Sequence, residues 1–104
     1  MDRNGYNESI MPSKGCYWCG RTDGKMDRHE VFHGAFRKKA KAAGLWVLLC
    51  HDCHAELHQH NAMMDHLLKC AGQRAAMEHY GWSIPDFIRE FGKNRLEGCE
   101  DGNR

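Results

Sequence analysis

Two pairs of cysteines constrain the fold of this chain more than any other feature of its sequence. Each pair has the spacing Cys-x-x-Cys, which lets two thiolates reach one ion from a tight turn. A chain of 104 residues buries a modest core and often depends on a metal or a cross-link for stability. Because a closed site of four thiolates typically holds a structural zinc ion, we predict one zinc bound by Cys16, Cys19, Cys50 and Cys53.

The alternative for these pairs is redox chemistry, but the sequence lacks the βαβ pattern of thioredoxin-like proteins. The other two cysteines, Cys70 and Cys99, have no partner at ligand spacing and are interpreted as a helix residue and a tail thiol. The N-terminal segment has no apolar signal-peptide core, and no apolar run approaches the roughly 18 residues of a membrane span. We therefore expect a cytoplasmic protein without a membrane partner, in a compartment where paired thiols bind metals.

The first half of the chain predicts two strands that flank a helix. Residues 26–32 can form a short strand, and residues 34–44 are rich in Ala and Lys and end in a glycine, as helices commonly do. The apolar run Leu45–Leu49 is typical of a buried strand and leads directly into Cys50.

The second half predicts helices. A helical pattern runs from His54 onward, and Asn61 is a candidate N-cap for a further helix that ends at Gly81. Ser83-Ile84-Pro85-Asp86 is a capping box at the start of a last helix, which Gly92 ends. These patterns predict an α+β, zinc-stapled domain over 16–92, with a core at 16–60, a helical extension at 61–92, a flexible lead-in at 1–15 and a polar tail at 93–104.

Histidines supply a second candidate site. His54 and His58 are four residues apart, so on a helix both imidazoles point the same way and can bind one ion. The upstream segment Asp27-Arg28-His29-Glu30-Val31-Phe32-His33-Gly34 favours a metal site more strongly than an isolated histidine pair does. A solvated polar helix face is the alternative for the His-x-x-x-His spacing alone.

Together these motifs resemble the HNH (ββα-metal) endonucleases, and in particular small phage-type members with two zinc knuckles. The resemblance covers residues 16–58; a Phe-Gly-Lys-Asn at 91–94 and the Arg-Lys-Lys at 37–39 are similar too. It implies a β-hairpin and helix that hold one divalent ion, with His29, His54 and His58 as its ligands. The implied reaction is hydrolysis of a DNA phosphodiester with Mg²⁺, Mn²⁺ or another divalent ion, which leaves 5′-phosphate ends.

Two departures from the family pattern leave roles open. In one register His29 is a metal ligand and Glu30 stands where the family has its general base; in the other, His29 is the base and Arg28 falls at a ligand position. His33, in the following turn, is a third candidate for the base. The family's middle Asn is expected shortly before the second strand, where this chain has Gly44-Leu45.

A basic stretch accompanies these motifs, although the formal net charge is only +1. Such a stretch can hold DNA phosphates, and a solvated helix face is the alternative. The candidate DNA-binding residues are Arg28, Arg37, Lys38, Lys39 and Lys41.

The resemblance therefore implies a metal-dependent DNA endonuclease, phage or prophage derived, with DNA and candidate phage recombination or packaging proteins as partners. The rival hypothesis is a zinc-stabilised DNA-binding or accessory module whose nuclease site is degenerate. The missing Asn and the Glu30 position favour the rival, and the histidine constellation favours the nuclease.

Overall fold

A two-stranded sheet and four α-helices form the parts of the chain that the computed structural model describes, residues 2–59 and 61–97. The predicted α+β class is therefore confirmed. The end of the predicted polar tail, 98–104, and with it Cys99, lies outside the described residues. The elements are β1 (Met26–Glu30), α1 (Arg37–Ala43), β2 (Trp46–Cys50), α2 (His51–Gln59), α3 (Ala62–Tyr80) and α4 (Ile84–Phe91).

The two strands pair antiparallel, with Met26 opposite Cys50 and Glu30 opposite Trp46. β1 is shorter than predicted because the chain turns after Glu30 and buries Val31 and Phe32 in the core. A 3-10 turn at Gly34–Phe36 and helix α1 connect the strands. Since side chains alternate along a strand, neighbouring residues of β1 face opposite sides of the hairpin.

The connection from α1 to β2 depends on a glycine. Gly44 ends α1 with φ at 77°, and a Cβ built there would lie 2.4 Å from the carbonyl oxygen of Glu8. The segment predicted as a lead-in runs along this turn. The main-chain amide of Asn7 donates to the Lys41 carbonyl at 3.0 Å, and the amide of Ile10 donates to the Gly44 carbonyl at 2.9 Å. A residue with a side chain at position 44 would displace that segment.

The helices of the second half begin and end close to the predicted residues. α2 starts at His51, ahead of His54, because it follows β2 without a break. The Asn61 side chain accepts from the Met64 amide at 2.9 Å, which confirms the predicted N-cap of α3. The capping box at Ser83 is also present, and Gly81 and Gly92 end α3 and α4. Among the described residues, no helix combines the length and apolarity that crossing a bilayer requires.

Aromatic side chains pack α3 and α4 against the hairpin. The Phe32 ring lies 5.4 Å from Phe87 and 4.9 Å from Phe91, centroid to centroid. α3 approaches closely at Gly72, where an added Cβ would lie 2.9 Å from Cγ1 of Val31. This packing sets the first turn of α3 beside the segment that leaves β1.

The start of the predicted polar tail is held by a buried amide. Gln73 of α3 is fully buried; its Nε2 donates to Oδ1 of Asn94 at 2.9 Å, and its Oε1 accepts from the Arg95 amide at 2.6 Å. Both polar groups of the Gln73 side chain are thereby satisfied inside the domain.

Candidate metal centres

The two cysteine pairs come together where the N-terminal knuckle meets the end of β2. The Tyr17 amide donates to the Leu48 carbonyl at 2.7 Å, which ties the knuckle to the strand. The Sγ atoms of Cys19 and Cys50 are 3.8 Å apart. Two sulfurs bound tetrahedrally to one zinc at about 2.3 Å would lie about 3.8 Å apart. All four Sγ atoms lie within 4.8 Å of one another, in Cys16, Cys19, Cys50 and Cys53.

The backbone around these sulfurs favours thiolates. The Cys19 amide points at Sγ of Cys16 at 3.4 Å, and the Cys53 amide at Sγ of Cys50 at 3.5 Å. Burial opposes ionisation of Cys16, but backbone N–H groups outweigh it and lower the pKa of this thiol to about 6. Burial and the neighbouring sulfurs raise the pKa of Cys53, because adjacent thiolates repel one another. The cluster can therefore hold a metal ion such as zinc, whose charge would offset that repulsion.

Three imidazoles form a second cluster on the adjoining part of the hairpin and helix. The candidate ligand nitrogens of His29, His54 and His58 all lie within 4.8 Å of one another. His29 comes from β1, while the other two occupy successive turns of α2. Because Cys53 lies in the first turn of α2, this one helix contributes residues to both clusters.

His29 is a neutral, buried imidazole. Its residue is 4% exposed, and its Nε2 has no hydrogen-bond partner among the described residues. Burial, followed by repulsion from His54, His33 and His58, lowers the pKa of His29 to about 4. A buried nitrogen without a partner is costly in a protein interior. A metal ion would satisfy it, since neutral imidazole is the form that binds metals.

The ring of His54 is oriented by a carboxylate. Its Nδ1 lies 3.0 Å from Oδ2 of Asp27, and this contact lowers the pKa of Asp27. A metal-binding His commonly donates its other ring N–H to a carboxylate in this way. The Nε2 atoms of His54 and His58 are 3.1 Å apart. Two nitrogens bound to one ion at about 2.1 Å lie about 3.0–3.4 Å apart, so the residues fit a divalent ion.

Asp27 is the site residue that the sequence reasoning missed. It precedes His29 by two positions, so it lies on the same face of β1 and reaches α2 with it. The period-two alternation of the strand is a signal that could have found it.

Glu30 lies on the other face of β1, away from the imidazole cluster. Its carboxylate accepts from the Tyr6 hydroxyl and, at 2.9 Å, from Nε of Arg37. Burial would raise the pKa of Glu30, but these two donors outweigh it and lower the pKa. Of the two candidate catalytic residues His29 and Glu30, only His29 lies with the α2 histidines.

An open cleft of about 460 Å³ adjoins the imidazole cluster. Its lining includes His29 and His58 of the cluster, together with His33 and Asp65. Nε2 of His33 lies 3.5 Å from Oδ1 of Asp65, and the His33 side chain is half-exposed. A molecule in this cleft would reach the cluster from solvent.

The basic residues differ in how far their charges are already engaged. Arg28 pairs with Asp2 at 2.9 Å and stacks over aromatic rings, and Arg37 pairs with Glu30. Lys39 contacts Glu90, and Lys41 donates to the Asn4 carbonyl at 3.1 Å. Within the described ranges, no ion pair is formed by Lys38. With Arg3 and Lys41, Lys38 lines a second cleft.

Comparison with protein-family models, with curated proteins and with solved structures gives no match. A function for the two clusters is therefore inferred from their geometry and from the resemblance of the motifs.

Proposed function

We propose that this protein is a divalent-metal-dependent DNA endonuclease of the HNH type. The observation that carries the proposal is the convergence of His29, His54 and His58 at the edge of an open cleft. The buried, unpartnered Nε2 of His29 is the strongest single sign that these rings serve a metal ion.

Local architecture supports the same proposal. A β-hairpin that runs straight into a helix is the arrangement expected from the HNH resemblance, and α2 follows β2 directly. The Asn that the family carries near the second strand is absent at Gly44. Instead, the Asn7 side chain donates to the Ala42 carbonyl, and the main-chain carbonyl of Asn7 accepts from Nε1 of Trp46 at 2.8 Å. Asn7 thereby holds the connection between the strands from outside the motif.

In the proposed reaction, the three histidines would hold one divalent ion, and Asp27 fixes the ring of His54. When bound, the ion would supply a Lewis acid that stabilises charge on the phosphate. Lys38 contributes positive charge for the DNA backbone. The four-cysteine cluster serves as the scaffold, since Cys53 fixes the first turn of the helix that carries His54.

Plasmid incubation with Mg²⁺, Mn²⁺ or EDTA tests the proposal. His29→Ala and His54→Ala should each abolish divalent-dependent cleavage while the zinc content and the fold stay intact, because ion and base act as a unit. His58→Ala should mainly raise the metal concentration required. His79→Gln, at the exposed far end of α3, is the matched control and should cleave like the parent. If His29→Ala and His54→Ala both cleave plasmid at the rate of the parent protein, the nuclease proposal is refuted.

In the same assay, Glu30→Gln tests whether Glu30 or a histidine is the general base. Because the Glu30 carboxylate is engaged by Tyr6 and Arg37, we expect this variant to keep most of its rate at saturating metal. An inactive but folded Glu30→Gln protein would instead identify Glu30 as the base.

The rival function is a zinc-stabilised DNA-binding or accessory module, favoured by the engagement of Glu30 and by the missing Asn. A metal titration separates the two. The module should bind one ion per chain, at the cysteines, whereas the nuclease should bind two different ions.

A further inference from the structure

We propose that His33 is the general base of this reaction and that Asp65 is its positioning residue. The inference rests on the proposed nuclease function. It assigns the proton-accepting step to a pair formed by the turn after β1 and the first turn of α3.

The position of His33 suits a base better than a ligand. It lines the cleft beside His29 and His58, and its ring centroid is 6.1 Å from that of His29. It is not one of the three imidazoles whose nitrogens converge. Its side chain is 51% exposed, so the ring can return a proton to solvent after each turnover.

Asp65 gives the His33 ring a preferred orientation. Oδ1 of Asp65 lies 3.5 Å from Nε2 of His33, and Oδ2 accepts from Nζ of Lys69 at 2.8 Å. Burial would raise the pKa of Asp65, but Lys69 and then His33 outweigh it and lower the pKa. An ionised carboxylate beside Nε2 favours the tautomer with its proton on Nε2, which leaves the Nδ1 lone pair for a substrate proton. Such contacts are often long in the absence of substrate and tighten when it binds.

The other candidate bases are engaged elsewhere. Glu30 accepts from Tyr6 and Arg37 on the opposite face of β1. His29 and His54 belong to the converging cluster, and His54 is also held by Asp27. Among the side chains that line the cleft, His33 is the imidazole that lies outside the ligand set.

A water molecule gives a proton to Nδ1 of His33 while its oxygen forms a bond to phosphorus. The bond from phosphorus to the 3′ oxygen breaks, and its electron pair stays on that oxygen, which takes a proton from solvent water. His33 then releases its proton to solvent, and the products are a 5′-phosphate and a 3′-hydroxyl.

Steady-state kinetics on a plasmid or oligonucleotide test the catalytic role. His33→Gln should lower kcat by about 10²–10⁴-fold, the usual range for a general base, with KM for DNA unchanged. Mn²⁺ binding by calorimetry should also be unchanged, because no ligand is lost. Imidazole added to His33→Ala should restore part of the rate, and His79→Gln should match the parent in every measurement.

The positioning role of Asp65 can be tested without measuring catalysis. In ¹⁵N NMR of the zinc-loaded protein without added divalent ion, we expect His33 in the Nε2–H tautomer, and a mixture of tautomers in Asp65→Asn. An unchanged tautomer in Asp65→Asn would overturn the role of Asp65.

The kinetic outcomes distinguish failure of the His33 assignment from failure of the proposed nuclease function. If His33→Gln cleaves at the parental kcat while His29→Ala is inactive, His33 is not the base and the nuclease proposal stands. If His29→Ala also cleaves like the parent, both proposals fail.

Discussion

Neighbouring side chains of β1 have opposite surroundings, and this division separates the candidate metal ligand from the residues that hold the N-terminal segment and α1. Asp27 and His29 face α2, whereas Arg28 and Glu30 face the N-terminal segment and α1. His29 is left neutral and buried, which suits a ligand but opposes protonation. Residues that are adjacent in the sequence of β1 therefore have different partners and different protonation behaviour.

The depressed pKa of His29 predicts a loss of stability in mild acid. Its pKa is about 4 in the folded protein against a reference value of 6.5, so at intermediate pH the unfolded chain binds a proton that the folded chain does not. The free energy of unfolding should therefore fall as pH falls from 6.5 toward 4, by at most about 1.4 kcal/mol per pH unit from this group.

Urea unfolding between pH 7 and pH 5, without added divalent ions and with zinc content checked at each pH, measures this slope. His29→Gln should flatten it, and His79→Gln should leave it unchanged. The same slope in His29→Gln and the parent would show that His29 does not titrate as described.

At the scale of elements, α1 carries four basic residues, and two of them already form ion pairs within the domain. Arg37 is paired with Glu30, and Lys39 with Glu90. Lys38 points into a cleft that it shares with Arg3 and Lys41. The run of basic residues therefore overstates the charge that is available to a phosphate backbone.

Lys38→Ala should weaken DNA binding more than Lys39→Ala does, across all DNA sequences. The loss of one phosphate contact should reduce the slope of log affinity against log salt by about 1. Fluorescence anisotropy over a range of salt concentrations measures both effects. Lys14→Ala removes the same charge outside α1 and is the control. Unchanged affinity in Lys38→Ala and in the Lys38/Lys39 double variant would mean that DNA docks elsewhere.

At the scale of the whole molecule, the cysteine cluster joins the N-terminal knuckle to the β2–α2 junction. The two pairs are separated in sequence by β1 and α1, and the Sγ atoms of Cys19 and Cys50 meet at 3.8 Å. A metal ion there would close the loop that contains the hairpin. Because α2 begins at this junction, the same ion would support the imidazole cluster.

Elemental analysis should give about one tightly held zinc per chain. Cys16→Ser or Cys50→Ser should abolish cooperative folding, as should zinc removal by a strong chelator, because binding energy at a structural zinc site is folding energy. Circular dichroism and thermal unfolding measure the loss, and added zinc should reverse the effect of the chelator. A folded, metal-free protein with a Cys16–Cys19 disulfide would contradict this expectation.

Features whose causes are local could be predicted from the amino-acid sequence. The Asn61 cap, the Ser83 capping box and the glycines that end helices depend on a few neighbouring residues, and each is found as predicted. The pairing of His54 with His58 follows from the helical repeat, and ligand spacing identified the cysteine pairs.

Contacts between groups that are distant in sequence became known from the folded structure. Contacts of Asp27 with His54, His33 with Asp65, and Glu30 with Tyr6 each join segments from different elements. They depend on where the strand turns, on the close approach of α3 at Gly72 and on the path of the N-terminal segment. Local spacing does not encode these relations, because they arise from the packing of the whole core.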